Sequence, residues 1–238
     1  MVSLSITDSG RDIKISYSEQ KEIVYINDAL TRSKRDAKYN PTKNSIVRFC
    51  RTNNTIPIAL FQTVKTIIQD NKLEYEFLEE HKLYRDIKKE DVISWCKNEV
   101  IGTEYADFDM MDTFDTVYEM VRNKHARFIL STSYGKTISL YLATKYLIDN
   151  GHEERILIIT PKPQLSSQFI GEVLGMQKSG ENFKYSAWQS KTKQKNTQVV
   201  VTNFQFAVNI SPEISKLVIR LSFLKSFKNF FFALSSLL

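Results

Sequence analysis

The chain has 238 residues, 42% of them hydrophobic and 25% charged. That composition excludes a disordered or collagen-like chain and is enough for one large or two small cored domains. The net charge of +6 is unevenly spread: residues 1–150 carry 22 basic and 22 acidic side chains, whereas residues 151–238 carry 11 basic side chains against 5 Glu. No Asp follows Asp149.

Met1 to Ser5 show no basic segment followed by an apolar one, so no secretory signal is expected. No uncharged apolar run reaches the ~20 residues of a membrane helix. Cys50 and Cys96 lie far apart and fit no metal spacing. They read as buried free thiols of a reducing compartment, so a cytoplasmic protein is expected. His81, His125 and His152 are scattered and argue against a His-based metal site.

In chain order, short alternations over 11–26 (Ile13, Ile15, Tyr17, then Ile23 to Ile26) predict two strands. Asn53-Asn54 predicts a turn between Val47–Cys50 and Ile56–Ile58. Apolar spacing of three and four over 60–70 predicts a helix, and Leu73 to Leu78 a strand. Val92, Ile93, Trp95 and Cys96 predict an amphipathic helix over 88–99. An acidic stretch from Glu99 to Glu119 follows, with a domain boundary expected near residue 100. Phe128-Ile129-Leu130 predicts a short strand. Lys136 to Asp149 predicts a helix with Ile138, Leu142, Ala143, Tyr146 and Leu147 on one face, capped at Asn150-Gly151. Ile156 to Ile159 and Val199 to Val201 read as buried strands, with a helix from Gln164 to about Leu174 between them. Strand, helix, strand, helix, strand implies a doubly wound parallel sheet.

Between the strand at 128–130 and its helix lies Ser131-Thr132-Ser133-Tyr134-Gly135-Lys136-Thr137. Gly-Lys-Thr at a strand-to-helix turn suits a phosphate loop. Gly135 admits close backbone approach, Lys136 brings charge, Thr137 offers a hydroxyl to Mg²⁺, and the helix start offers N–H groups. A Gly-Lys-Ser/Thr triplet arises by chance in roughly one chain in ten of this length; its placement between two elements gives it weight. The first glycine of the usual pattern is replaced by Leu130.

These residues resemble superfamily 2 helicases, most closely their phage recombination and repair type. Leu130 to Thr137 matches the phosphate loop, with Ser133 where most members have Gly. Ile156 to Phe169 resembles motif Ia with its strand, and Val199 to Phe204 the next DNA-contacting motif. Tyr39-Asn40-Pro41 and Ile56 to Leu60 resemble a small nucleic-acid-binding domain of such a helicase. The resemblance covers about residues 12–210. It implies an α/β chain in three parts. Residues 1–100 would be a small α+β nucleic-acid-binding domain, residues 101–213 a partial RecA-like motor domain with a parallel sheet, and residues 214–238 an atypical apolar tail.

The implied function is an ATP-dependent DNA helicase or translocase acting on branched DNA in phage replication, recombination or repair. ATP and Mg²⁺ are the implied cofactors, and single-stranded or branched DNA the implied partner, without a membrane. Thr132, Ser133, Tyr134, Gly135, Lys136 and Thr137 would hold nucleotide, with Thr137 on the metal. Asp112 stands where the family reads adenine with a Gln, and it can accept from the adenine amine but donates nothing. Motif Ia and its successor place Lys162, Ser166, Gln168 and Thr202 on nucleic acid. Arg32, Lys34, Arg35, Lys38, Arg48 and Arg51, with Lys43, face one acid, Asp36, and interleave with Tyr39 and Phe49. Such a basic segment suits a phosphate footprint, and equally a solvated face.

The Asp-Glu-x-His acid motif and the second motor domain of these helicases have no counterpart here. None of Glu153, Glu154, Glu172, Glu181 and Glu213 lies in a buried strand followed by another acid. The tail has 15 apolar residues, five Phe and no acid over 214–238. It reads as a buried helix, a membrane-surface helix, or an out-of-frame end that truncates a longer helicase near residue 210. The joint loss of acids and of resemblance favours the last. Weak nucleotide binding with negligible hydrolysis is then expected. The alternatives are a non-catalytic nucleic-acid-binding protein with a vestigial phosphate loop and a small kinase, for which no Arg-rich lid is visible.

Overall fold

The computed structural model describes residues 1–9, 12–33, 46–48, 50, 53–130, 134–177, 185–187, 197–203, 217–223 and 230–236, with backbone alone at 32–33, 46–48, 125–127, 129, 185–187, 217–223 and 230–236. The chain divides into two compact units, Met1–Leu83 and Tyr84–Leu237.

The first unit contains β1 (Val2–Ile6), β2 (Asp12–Tyr17), α1 (Gln20–Ala29), β3 (Thr31–Ser33), β4 (Ile46–Arg48), β5 (Thr55–Pro57), α2 (Phe61–Asp70) and β6 (Tyr75–Glu76). Its four-stranded sheet runs β5-β2-β1-β6, with β6 parallel to β1 and the other pairs antiparallel. Val2, Leu4, Ile13 and Ile15 alternate into the core, and Ile23, Ile26, Val64 and Ile68 of the two helices join them.

Two expectations change here, and a third is placed. Residues Ile23 to Ile26 form part of a helix, because Ile23, Ile26 and Leu30 are buried at spacings of three and four while Val24 and Tyr25 stand in solvent. Glu19 and Glu22 form a reciprocal capping box that starts this helix. The strand expected over 73–78 shrinks to Tyr75–Glu76. The segments flanking Asn53-Asn54 do not pair with each other: β4 pairs with β3, and β5 with β2. The turn itself stands, with Asn54 at a φ of 57°.

The second unit contains α3 (Lys89–Val100), α4 (Met111–Arg122), β7 (His125–Leu130), α5 (Lys136–Asp149), β8 (Ile156–Thr160), α6 (Pro163–Met176), β9 (Tyr185–Ala187), β10 (Val199–Asn203), β11 (Leu217–Phe223) and β12 (Phe230–Ser236). The sheet order is β7-β12-β11-β8-β10-β9. β11, β8, β10 and β9 are mutually parallel, and β12 runs antiparallel to both β11 and β7. The fold is thus the expected α/β parallel sheet, with one reversed strand inserted. Neither helical reading of the tail holds, since Leu217–Phe223 and Phe230–Ser236 are paired strands inside this sheet. No helix among the described residues is long and apolar enough to cross a membrane.

α5 is buried along its whole length from Ile138 to Ile148, beyond the single face expected. It packs against α3, α4 and α6, so every side meets protein. Its packing against α3 also places residues 89–100 in the second unit, and the division falls at Leu83 rather than near residue 100. Lys145 is tolerated inside this cluster because its ammonium bonds Asp149 at 2.7 Å, faces Glu99 at 3.4 Å and lies over the Trp95 ring. Arg85 pairs with the nearly buried Glu153 and donates to the Val121 and Asn123 carbonyls. Cys50 and Cys96 are buried thiols outside any disulfide, as expected, and burial pushes the Cys96 thiol up to about 12.

Two outcomes follow from this packing. Leu142→Ala, in the centre of α5 with no exposed surface, should cost about 3 kcal/mol in urea unfolding. In the first unit, the Met1 amine and the Glu19 and Ser18 amides hold the Glu22 carboxyl at about 2, below its ordinary 4.5. Its contribution is therefore present above pH 4.5 and lost as pH falls toward 2. Glu22→Gln should flatten that loss, read by hydrogen exchange of the β1 and α1 amides.

Candidate nucleotide site

α5 begins at a left-handed turn. Gly135 sits at φ 70° and ψ 36°, a region that costs a residue with a side chain about 1–2 kcal/mol. Its carbonyl accepts the first helical bond from the Ser139 amide at 2.9 Å and a second from the Ser139 hydroxyl at 3.0 Å. A Cβ at this position would meet Ile138 Cγ2 at 3.1 Å. The turn opens α5, whose first N–H groups have no partner within the helix and whose N-terminal end carries positive dipole charge.

Lys136 and Thr137 are the first two residues of α5, and both are half-buried. Burial lowers the Lys136 ammonium from its ordinary value; an arriving phosphate would offset that cost by pairing with the charge. Tyr134, just before the turn, is tied to α4. Its hydroxyl lies 2.8 Å from Thr116 Oγ1 and donates to the Asp112 carbonyl at 2.9 Å. The strand, αL glycine, cation, hydroxyl and helix start therefore form a cradle that suits a nucleotide phosphate with its cation. Thr132 and Ser133 lie outside the described residues.

Thr137 Oγ1 donates to Glu172 Oε2 of α6 at 2.8 Å, and Gln168 Nε2 donates to the other oxygen, Glu172 Oε1, at 2.8 Å. Glu172 was legible as a helical residue four positions beyond Gln168, but nothing in its spacing pointed to Thr137. Beside it, Gly171 and Gly175 leave the α6 surface bare, and a cleft of about 680 Å³ opens between them and the 101–105 loop, with Tyr105 in its wall. Burial, then Glu104 and Glu172, hold the Tyr105 phenol above its usual value. Asp112 does not line this cleft; its side chain is exposed in the first turn of α4.

The expected nucleic-acid residues separate into three groups. Lys162, the N-cap residue of α6, and Gln168 are exposed. Ser166 and Thr202 are fully buried. The Ser166 and Thr160 hydroxyls are 2.7 Å apart, and Thr160 Oγ1 lies 2.9 Å from the Lys162 carbonyl and 3.2 Å from the Thr202 carbonyl. This polar knot joins β8, α6 and β10, so Ser166 and Thr202 serve as internal ties where a phosphate contact was expected. In the first unit, Arg32 and Arg48 lie on the antiparallel β3–β4 ribbon, where Thr31 faces Arg48 and Arg32 faces Val47. Lys34, Arg35, Asp36, Lys38, Tyr39, Asn40, Pro41, Lys43, Phe49 and Arg51 lie outside the described residues. Among the described residues, no three His, Cys, Asp or Glu side chains gather as a metal cage.

Gly135→Ala should destabilise the second unit by about 1–2 kcal/mol in urea unfolding, from the αL cost alone. Tyr134→Phe should cost about 1 kcal/mol through the lost tie to α4.

Known proteins place this geometry. Residues 101–232, more than half of the chain, match the family described as type III restriction enzyme, res subunit (ResIII). No curated protein matches the chain. Among solved structures, the crystal structure of the UvsW helicase from bacteriophage T4 superposes with a TM-score of 0.70 at 16% identity, covering 92% of this chain and 81% of that one. A second structure, of T4 UvsW, gives 0.68 at 17% identity, covering 89% of this chain and 44% of the other. At such identity the likeness establishes a shared fold. The matched segment includes the residues that build the α5 cradle, and the chain belongs to the ResIII helicase-type family.

Proposed function

We propose that this chain is the nucleotide-binding part of an ATP-dependent DNA helicase or translocase that acts on branched DNA in phage replication, recombination or repair. The observation that carries the reading is the left-handed Gly135 at the head of α5, with Lys136 and Thr137 on the first turn of that helix. The helicase-type family implies nucleotide and divalent metal use in general. The fold shared with a helicase described as UvsW supports the phage and DNA context.

In this reading the phosphates sit on the α5 N-terminus. Lys136 supplies the cation for them, and Thr137 the hydroxyl for Mg²⁺. When bound, Mg²⁺ draws charge from the phosphate oxygens. The cleft beside Tyr105 has the volume for a nucleoside. Nucleic acid takes the exposed Lys162 and Gln168 at the start of α6, close in sequence to the knot that holds α6 to β8 and β10. Arg32 and Arg48, which the register puts on opposite faces of the β3–β4 ribbon, are two separate further candidate contacts, together with their basic sequence neighbours.

Filter binding with single-stranded, duplex and forked DNA, with and without ATP and Mg²⁺, tests this. Lys136→Ala should weaken nucleotide binding at least tenfold, a loss of about 1.4 kcal/mol, and leave DNA affinity unchanged. Lys162→Ala should weaken DNA binding and lower the slope of log affinity against log salt by about 0.9. If Lys136→Ala changes nothing and DNA still binds, the chain is a non-catalytic nucleic-acid-binding protein with a vestigial phosphate loop.

A further inference from the structure

Among the described residues, Glu172 is an acid that reaches the phosphate cradle, and it does so from an element that carries no part of the phosphate loop. Its two carboxylate oxygens are both engaged. Oε1 is held by Gln168 Nε2 at 2.8 Å, one helical turn earlier on α6, and Oε2 receives the Thr137 hydroxyl at 2.8 Å. The Gln168 bond orients the carboxylate, so that Oε2 faces Thr137 rather than turning into solvent.

We propose that Glu172 is a ligand of the nucleotide-bound divalent cation, completing with Thr137 the protein side of its coordination. This inference rests on the phosphate-loop reading above. Mg²⁺ holds oxygens at about 2.0–2.1 Å in an octahedron, whose neighbouring oxygens stand about 2.9 Å apart. The 2.8 Å between Thr137 Oγ1 and Glu172 Oε2 matches that edge. A cation can therefore enter by replacing the hydroxyl proton's contact, with the two oxygens already at coordination spacing. Mg²⁺ binds through one or two protein oxygens plus phosphate oxygens and water, which suits a site where no three acidic or imidazole groups gather among the described residues. Without the cation, the same carboxylate lies beside the place where phosphate charge would accumulate, and like charges repel. Glu172 thus opposes metal-free nucleotide and favours the metal complex, a dependence that Lys136 does not share.

The test uses the full chain and a fluorescent ATP analogue, titrated in EDTA and in Mg²⁺, with Mn²⁺ binding followed by electron paramagnetic resonance. Wild-type protein should bind the analogue about tenfold or more tightly in Mg²⁺ than in EDTA. Glu172→Gln should lose most of that gain and the nucleotide-dependent Mn²⁺ signal. In EDTA it should bind as well as wild type or better, with an unchanged unfolding midpoint, because the side chain is exposed. Glu172→Ala should behave the same way, which shows that the amide of Gln adds nothing of its own. The proposal is overturned if Glu172→Gln keeps the full Mg²⁺ gain, or if it weakens binding equally in EDTA and in Mg²⁺. Lys136→Ala separates the two levels of inference. If it weakens analogue binding in EDTA while Glu172→Gln keeps its Mg²⁺ gain, the phosphate loop stands and only the Glu172 assignment falls. If Lys136→Ala leaves analogue binding unchanged, the phosphate-loop reading falls and takes the Glu172 assignment with it.

Discussion

Gly135 turns the chain at φ 70° at the head of a helix that is buried from its first full turn to its last. Two demands meet at that one residue. α5 must bury Ile138 within its first turn, and its first N–H groups must still be free to meet a ligand. A side chain at the turn would press on Ile138 Cγ2 at 3.1 Å. The rest of the cradle is placed by this constraint. Lys136 and Thr137 occupy the first turn because the helix begins there, and Tyr134 meets α4 on the approach to it.

Burial of α5 also explains how charge is handled in the second unit. Lys145 and Arg85 are each nearly buried and each is matched by carboxylates, since an unpaired ion at such depth would cost several kcal/mol. Burial also lowers the Lys136 ammonium, and Lys136 stands at the helix end where an anion is favoured. Glu172 brings negative charge to the same place from α6, so the cradle combines a cation, a hydroxyl and a carboxylate within one short stretch of surface. The polar knot of Thr160, Ser166 and the Thr202 carbonyl holds α6 in the register that makes this possible.

Local patterns were readable where one element decides them. The Gly-Lys-Thr turn, the helix over 136–149, the buried strands at 156 and 199 and the cap at Asn150-Gly151 all depend on neighbours within a few residues. Residues 23–26 misled because a run of β-branched and aromatic side chains suits a strand, whereas the capping box and the burial of Ile23, Ile26 and Leu30 impose a helix. The resemblance puts Ser166 and Thr202 on nucleic acid, yet both are fully buried. Whether a hydroxyl faces solvent depends on what packs over it, and Thr160 meets that of Ser166. The apolar tail reads as a helix or, in preference, an out-of-frame end, yet Leu217–Phe223 and Phe230–Ser236 complete a sheet between β7 and β8.

By itself the sequence determined the chemistry on offer: one phosphate-loop triplet after a strand, few acids beyond Asp149, a basic segment at 32–51, and an α/β rhythm. Tertiary structure alone decided which of those groups meet. It brought Glu172 to Thr137 across 35 positions, hid Ser166 and Thr202, assigned α3 to the second unit and set β12 against the direction of its neighbours. The reason is physical. Backbone propensity and capping act over one helical turn, whereas burial, ion pairing and strand order are settled by residues far apart in the chain that share a surface only once the core has closed.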